Sequence, residues 1–200
     1  MLKRAILIFS ILTVLCVSLI PVLPIQGEEK IYDKTLRLHV IANSDSEEDQ
    51  WLKLQVRDRI LELMSSTFDE ANSRKEAIDI VNTHYDELLR CAENEIADKG
   101  YDYKVDITLT EEYYPTREYE GVSLPAGNYL SLRVLIGKAE GQNWWCVLFP
   151  PLCTSSAEPK KKLKEAGFTS PQIKVLTEGE SPKYKLKFRI LELFNGFFDR

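Results

Sequence analysis

The sequence predicts an α+β domain in which two helices pack on a largely antiparallel sheet, in the order β-α-α-β-β-β-β-(short α)-β. Three observations predict it. Apolar residues recur at helical spacing across 52–63 and 77–96. They recur with a period of two across 36–41, 105–110, 130–136 and 184–190. The two helical stretches are consecutive, and no internal repeat interrupts the pattern.

The chain opens on an addressing segment, residues 1–27, that lies outside the predicted domain of residues 28–200. Met1-Leu2-Lys3-Arg4 is a short positive region, Ala5 to Ile20 carries no charge, and Pro21 and Pro24 end any helix before Glu28-Glu29. That is the layout of a secretory signal peptide. The uncharged stretch continues to Gly27, long enough to cross a hydrocarbon layer of about 30 Å as a retained membrane anchor. Gly27 permits cleavage, whereas Ile25 departs from the small-x-small rule, so both readings stand. Either one exports residues 28–200. Leu15 precedes Cys16 where a lipid-attachment site wants a small residue.

Each element then has its own signal. In Thr35–Ile41, Leu36, Leu38 and Val40 alternate with Arg37 and His39, a strand pattern. Ala42-Asn43-Ser44-Asp45-Ser46 is dense in helix-capping residues, and Glu47, Glu48 and Asp49 suit the positive end of a helix dipole. The first helix runs to about Met64 and buries Leu52, Val56, Ile60 and Leu63. Ser73-Arg74-Lys75-Glu76 opens a longer helix with Ala77, Val81, Tyr85, Leu88, Ala92 and Ile96 on one stripe, ended by Gly100. Val105, Ile107 and Leu109 mark the next strand. A turn at Pro125–Asn128, a strand through Leu130, Leu132, Val134 and Ile136, and a turn at Gly137–Gly141 lead into Trp144–Phe149. Residues 158–183 form a lysine-rich connection with a short helix at 159–167. Residues 184–192 form a last strand, in which Tyr184, Leu186, Phe188 and Ile190 alternate with Lys183, Lys185, Lys187 and Arg189.

At 200 residues with 44% hydrophobic content, the chain supports one real core. Its charge is unevenly spread. Residues 28–158 hold 14 basic and 26 acidic groups, a net −12, while 159–200 hold 10 and 5, a net +5. An acidic folded core excludes a nucleic-acid-binding domain, which needs a basic footprint. Abundant branched and aromatic residues exclude disorder.

After the addressing segment three cysteines remain. Cys146 and Cys153 enclose Val147-Leu148-Phe149-Pro150-Pro151-Leu152, and a chain that doubles back at the prolines brings them within disulfide range. The alternative is two reduced cysteines in a strand and its following loop. Cys91 reads as a buried free thiol on the second helix. No metal is expected: paired C-x-x-C motifs are absent, and His39 and His84 are distant in sequence. Asn43, Asp45, Glu47 and Asp49 echo a calcium loop only faintly, since Glu48 and Leu54 stand where glycine and glutamate are required. No nucleophile-elbow, P-loop, metalloprotease or dinucleotide motif is present. No cofactor follows. His39 paired with Cys146 as a thiol nucleophile is the one enzymatic alternative. Within the run Asn143–Cys153, Trp144 and Trp145 point to opposite faces of a strand, so a single-sided core takes one of them and leaves the other for a second layer or a partner.

Leu36-Arg37-Leu38-His39-Val40-Ile41-Ala42-Asn43-Ser44-Asp45-Ser46, followed by Glu48-Asp49-Gln50, Leu52-Lys53 and Val56-Arg57-Asp58, resembles the opening signature of the stage II sporulation protein R family. Leu124–Tyr129 and Asn143–Cys153 resemble its second and third signatures. The segment ending in Phe188-Arg189-Ile190-Leu191-Glu192 is similar to its closing one, so the resemblance covers roughly residues 35–194. It implies a protein made in the forespore and exported into the space between the forespore and mother-cell membranes. There it acts as an intercellular signal, without enzymatic activity of its own. It triggers a membrane-embedded aspartic protease, which processes the pro-form of the early mother-cell sigma factor. Expected partner contacts fall at Asn43, Ser44 and Asp45, where the polar run exceeds what capping needs, and at whichever of Trp144 and Trp145 faces outward. A cell-envelope scaffold is the further alternative, with the +5 segment as its contact to anionic lipid.

Overall fold

A computed structural model describes residue 9 and residues 29–119, 121–153 and 158–178. The expected addressing segment and the expected strand at 184–192 lie outside these residues, apart from Phe9. Among the described residues no helix is long and apolar enough to cross a membrane. The elements run α1 (Glu29–Tyr32), β1 (Leu36–Ile41), α2 (Glu47–Asp69), α3 (Arg74–Thr83), α4 (Tyr85–Asp98), β2 (Val105–Tyr114), β3 (Arg117–Tyr119), β4 (Val122–Leu124), β5 (Gly127–Ile136), β6 (Asn143–Phe149), α5 (Pro159–Glu165) and α6 (Ser170–Thr177).

The fold is α+β, as the sequence pattern predicts. A four-stranded sheet has the order β2-β5-β1-β6. Its β2–β5 and β1–β6 pairs are antiparallel and β1–β5 is parallel. The parallel pair follows from the long excursion through α2, α3, α4 and β2, which returns the chain to β1 from its own starting end. A separate ribbon, β3–β4, is inserted between β2 and β5.

Helices α2, α3 and α4 cover one face of this sheet; the other face is free of them, with Tyr32 of α1 reaching its end edge-on to Tyr129. Ser46 caps α2 by accepting the Asp49 N–H at 3.2 Å, and the acidic first turn completes the cap. The helix runs five residues past Met64, because Phe68 adds another turn to the buried stripe of Leu52, Val56, Ile60 and Met64. Full burial of each such side chain stabilises the fold by roughly 1.5–3 kcal/mol. The second expected helix is two. It breaks at His84, so Ala77 and Val81 belong to α3, while Leu88, Ala92 and Ile96 belong to α4. Leu36, Leu38 and Val40 of β1 meet this layer, flanked in register by Leu130, Leu132 and Val134 of β5. Leu163, Phe168 and Leu176 extend the core beneath α5 and α6, the second of which the sequence pattern did not reveal.

β1 is buried at all six positions, Arg37 and His39 included. Alternating polarity predicts a strand wet on one side. Central placement between β5 and β6, with the β3–β4 ribbon near its other face, removes that side from water.

Candidate functional site

β1 aims Arg37 and His39 away from the helices. Register brings Ser131 and Arg133 of β5 beside them, and Trp145 of β6 beside His39. One strand further, Glu112 and Tyr114 of β2 share this face. Arg117 and Tyr119 reach it from β3, and Tyr129 from β5.

Two charged centres result. In the first, three groups surround the Glu112 carboxylate. Its Oε2 lies 3.0 Å from His39 Nδ1, its Oε1 lies 2.9 Å from Arg133 Nε, and the Tyr114 hydroxyl donates to Oε2 at 3.2 Å. Burial by itself would raise the Glu112 carboxyl. The hydrogen bond and charge of His39, the charge of Arg133 and the bond from Tyr114 outweigh it and hold the group below its ordinary value. His39 Nε2 lies 2.8 Å from Asn143 Oδ1, so both ring nitrogens face oxygen atoms. Tyr114 also shares a 2.6 Å bond with Ser131 Oγ, and burial pushes its phenol well above the ordinary range.

The second centre is Arg37, whose side chain is wholly buried. Its guanidinium lies 4.0 Å from the Tyr114 ring centroid, 4.9 Å from that of Tyr129 and 5.5 Å from that of Tyr119. Nη2 donates to the Tyr119 hydroxyl, while Nε and Nη1 have no hydrogen-bond partner. Among the described residues it enters no ion pair. Removing an ion from water costs several kcal/mol even after relaxation. Each cation–π contact returns about 0.5–2 kcal/mol. Three rings therefore offset much of that cost, but the unmatched donors each add about 1–3 kcal/mol to it. The centre is held by aromatic faces and lacks an anion. Arg117 repeats the pattern at the margin. Its guanidinium stands 4.1 Å from the Trp145 ring centroid, and its buried Nε is also unpartnered.

The loop residues Asn43, Ser44 and Asp45 do more than cap α2. The Asn43 amide and the Ser44 hydroxyl donate to Asp49 Oδ2 at 2.8 and 2.6 Å. Asn43 Oδ1 accepts the Lys138 N–H, and Asp45 Oδ1 accepts the Gln142 N–H at 2.7 Å. They therefore tie the β5–β6 connection to the start of α2. Gly137 has φ +59°, and a Cβ there would lie 2.9 Å from Asn43 Cγ. A Cβ on Gly141 would lie 2.6 Å from the Ser44 carbonyl carbon. Asp45 keeps an exposed position on this loop.

The two tryptophans separate by face. Trp144 packs on the helix side against the core, with the Arg57 guanidinium 4.7 Å from its ring centroid. Trp145, half-buried, lies on the helix-free face against His39, Tyr114 and Arg117. Cys146 is disulfide-bonded to Cys153, with Cα atoms 5.6 Å apart. Because Cys146 pairs in register with Leu38 and His39 with Trp145, the cysteine and the histidine occupy opposite faces. The thiol-enzyme pairing is thereby removed. His39 itself is buried, at 7% exposed. Cys91 is free and half-buried rather than fully enclosed, with burial raising its thiol. Among the described residues, no group of three or more His, Cys, Asp or Glu is placed to hold a metal ion.

Sequence reasoning missed Arg37, Glu112, Tyr114, Arg117, Tyr119 and Tyr129. An arginine in a short strand otherwise apolar but for His39, and the tyrosine density of 113–129, were the available signals.

Fold and face together define a compact α+β domain whose helix-free sheet surface carries an arginine–tyrosine centre beside a histidine–glutamate one. The family model for stage II sporulation protein R matches residues 32–159, a span holding both centres, the whole sheet and the ribbon. The chain belongs to that family. It is 32% identical over 135 residues to the stage II sporulation protein R of Bacillus subtilis (strain 168), covering 68% of this chain. The match spans 60% of that relative's length. No solved structure matches the chain.

Proposed function

We propose that this sporulation protein is an exported signal made in the forespore. In this reading it activates a membrane-embedded aspartic protease of the mother cell, which then processes the pro-form of the early mother-cell sigma factor. The observation that carries the reading is membership of the stage II sporulation protein R family across residues 32–159, the greater part of the chain. The Lys3-Arg4 pair before an uncharged stretch supports export, with the segment either removed or kept as an anchor.

Activation requires the signal to bind one state of the protease more tightly than the other. The proposed contacts are the exposed Asp45 with its neighbours Asn43 and Ser44, and Trp145. Trp145 is favoured over Trp144 because it stands on the helix-free face and its partner Arg117 is only half-buried. The test is co-expression of the full chain, the membrane protease and the pro-sigma factor in a host lacking all three. Processing should require all components and co-purification of chain and protease. Asp45→Ala with Trp145→Ala, in protein that still melts cooperatively, should abolish processing. Full processing by that variant refutes the contact assignment, and processing without the chain refutes the signalling role.

A further inference from the structure

The helix-free face holds more positive charge than it neutralises. Glu112 serves His39 and Arg133. Arg37 and Arg117 are left with aromatic rings and no carboxylate among the described residues, and the rings they stack on, Tyr114 and Trp145, adjoin with centroids 5.9 Å apart. A guanidinium carries five donors and stays charged at any accessible pH. The recorded bond of Arg37 uses one of them. Leu38 and Val40 show that β1 can be built of apolar residues on its other face, and a buried Met would satisfy packing without two orphaned nitrogens.

We infer that this face is a binding site for a carboxylate, taken up by Arg117 beside the hydroxyl of Tyr119, with the buried charge of Arg37 behind it. The half-buried Arg117, Tyr119 and Trp145 form its open margin, while Arg37, Tyr114 and Tyr129 lie enclosed beneath. A planar carboxylate accepts from a guanidinium through two parallel bonds, and the Trp145 ring suits its apolar stem. Phosphate fits less well, because a second charge would have to be desolvated beside these rings. The carboxylate can come from a small organic acid or from an acidic residue of a polypeptide. The inference concerns the chemistry of this face and holds for any partner, the proposed protease included.

The test uses the full chain in non-ionic detergent, 15N-labelled, with the arginine Nε–H and tryptophan indole resonances as readouts. Sodium acetate and an uncharged-terminus peptide, acetyl-Gly-Glu-Gly-amide, are titrated separately against sodium chloride of equal ionic strength. The expected result is a saturable shift of the Arg37 and Trp145 signals with at least one carboxylate and none with chloride. Saturation by acetate alone identifies a small-acid source, and tighter saturation by the peptide identifies a polypeptide source. Arg117→Gln changes a half-buried residue, so its fold is checked by melting, and it should weaken binding at least tenfold. Three results each overturn the inference: no saturable shift with either carboxylate, unchanged affinity in Arg117→Gln, or tighter saturation by inorganic phosphate. No protease is present, so failure here leaves the signalling proposal intact, and failure of processing leaves this site intact.

Discussion

Replacing Glu112 with Gln keeps the shape of the hub on the helix-free face and removes its charge. Three groups lean on that charge: His39 at 3.0 Å, Arg133 at 2.9 Å and the Tyr114 hydroxyl at 3.2 Å. Hydrogen bonds to a charged acceptor contribute about 1.5–3 kcal/mol and neutral ones about 0.5–1.5 kcal/mol, so the bonds from His39 and Tyr114 each weaken by about 1 kcal/mol. The Arg133 pair is partly screened, since that side chain is 30% exposed, and it contributes up to about 1 kcal/mol. The expected loss is about 2–3 kcal/mol at neutral pH. For a chain of this size each kcal/mol moves the midpoint by about 2–4 °C, giving a drop of roughly 5–10 °C in a thermal melt. The pH dependence sharpens the test. The Glu112 carboxyl is held below its ordinary value in the folded state. Its contribution is therefore complete above the unfolded value of about 4.3 and is lost as pH falls through the folded one. Wild type and Glu112→Gln should differ most at pH 7 and converge as the pH falls below about 4. Asp49, also held low, is common to both proteins and cancels in the comparison. A gap of the same size at pH 7 and pH 3 would show that Glu112 acts by shape alone and would refute the reasoning.

Three further outcomes follow from the fold. Gly141→Ala drives a Cβ into the backbone of Ser44, which cannot yield as a side-chain tip would; a loss of about 1–3 kcal/mol is expected in urea unfolding. Reducing the Cys146–Cys153 bridge, seven residues apart, should cost roughly 2–3 kcal/mol on the chain-entropy account, measured by comparing melts with and without a reductant. Ser46→Ala removes the side-chain cap of α2 and should cost about 1 kcal/mol, visible as a lower urea midpoint with an unchanged slope.

The helical layer was legible because each apolar stripe is a local pattern. Leu52, Val56 and Ile60 face one way at any register, and Ser46 and Ser73 announce the starts of α2 and α3 within four residues. The break at His84 was not legible, since Val-Asn-Thr-His contains neither Gly nor Pro and the stripe runs through it. The strands were legible individually and their arrangement was not. Alternation in β1 is the same whether its neighbour runs parallel or antiparallel, and only the register of Leu36 with Leu130 and with Phe149 decides it. The three-residue strands β3 and β4 are too short to carry a period. Alternation alone puts Arg37 and His39 on the wet side of a half-buried strand. Their actual surroundings come from Glu112, Tyr114, Tyr119 and Tyr129, more than seventy residues further on, and no local window joins them. The polar run Asn43–Asp45 exceeds the needs of capping, and within the fold its excess is bonded to Lys138 and Gln142.

The central position of β1 also sets a condition on when the domain can form. Its two neighbours, β5 and β6, are made of residues 127–149, so the strand nearest the start of the described chain is the last to gain its flanks during synthesis. Until Ile136 is free, Leu36, Leu38 and Val40 have no strand to pair with, and long loop closure must precede the contacts that reward it. A chain that threads through a narrow passage with its beginning foremost would leave β1 unpaired until β5 has emerged, and flanked on one side only until Phe149 follows. Closure of the sheet is then a late event, and the arginine–tyrosine centre on β1 is completed when β5 joins it.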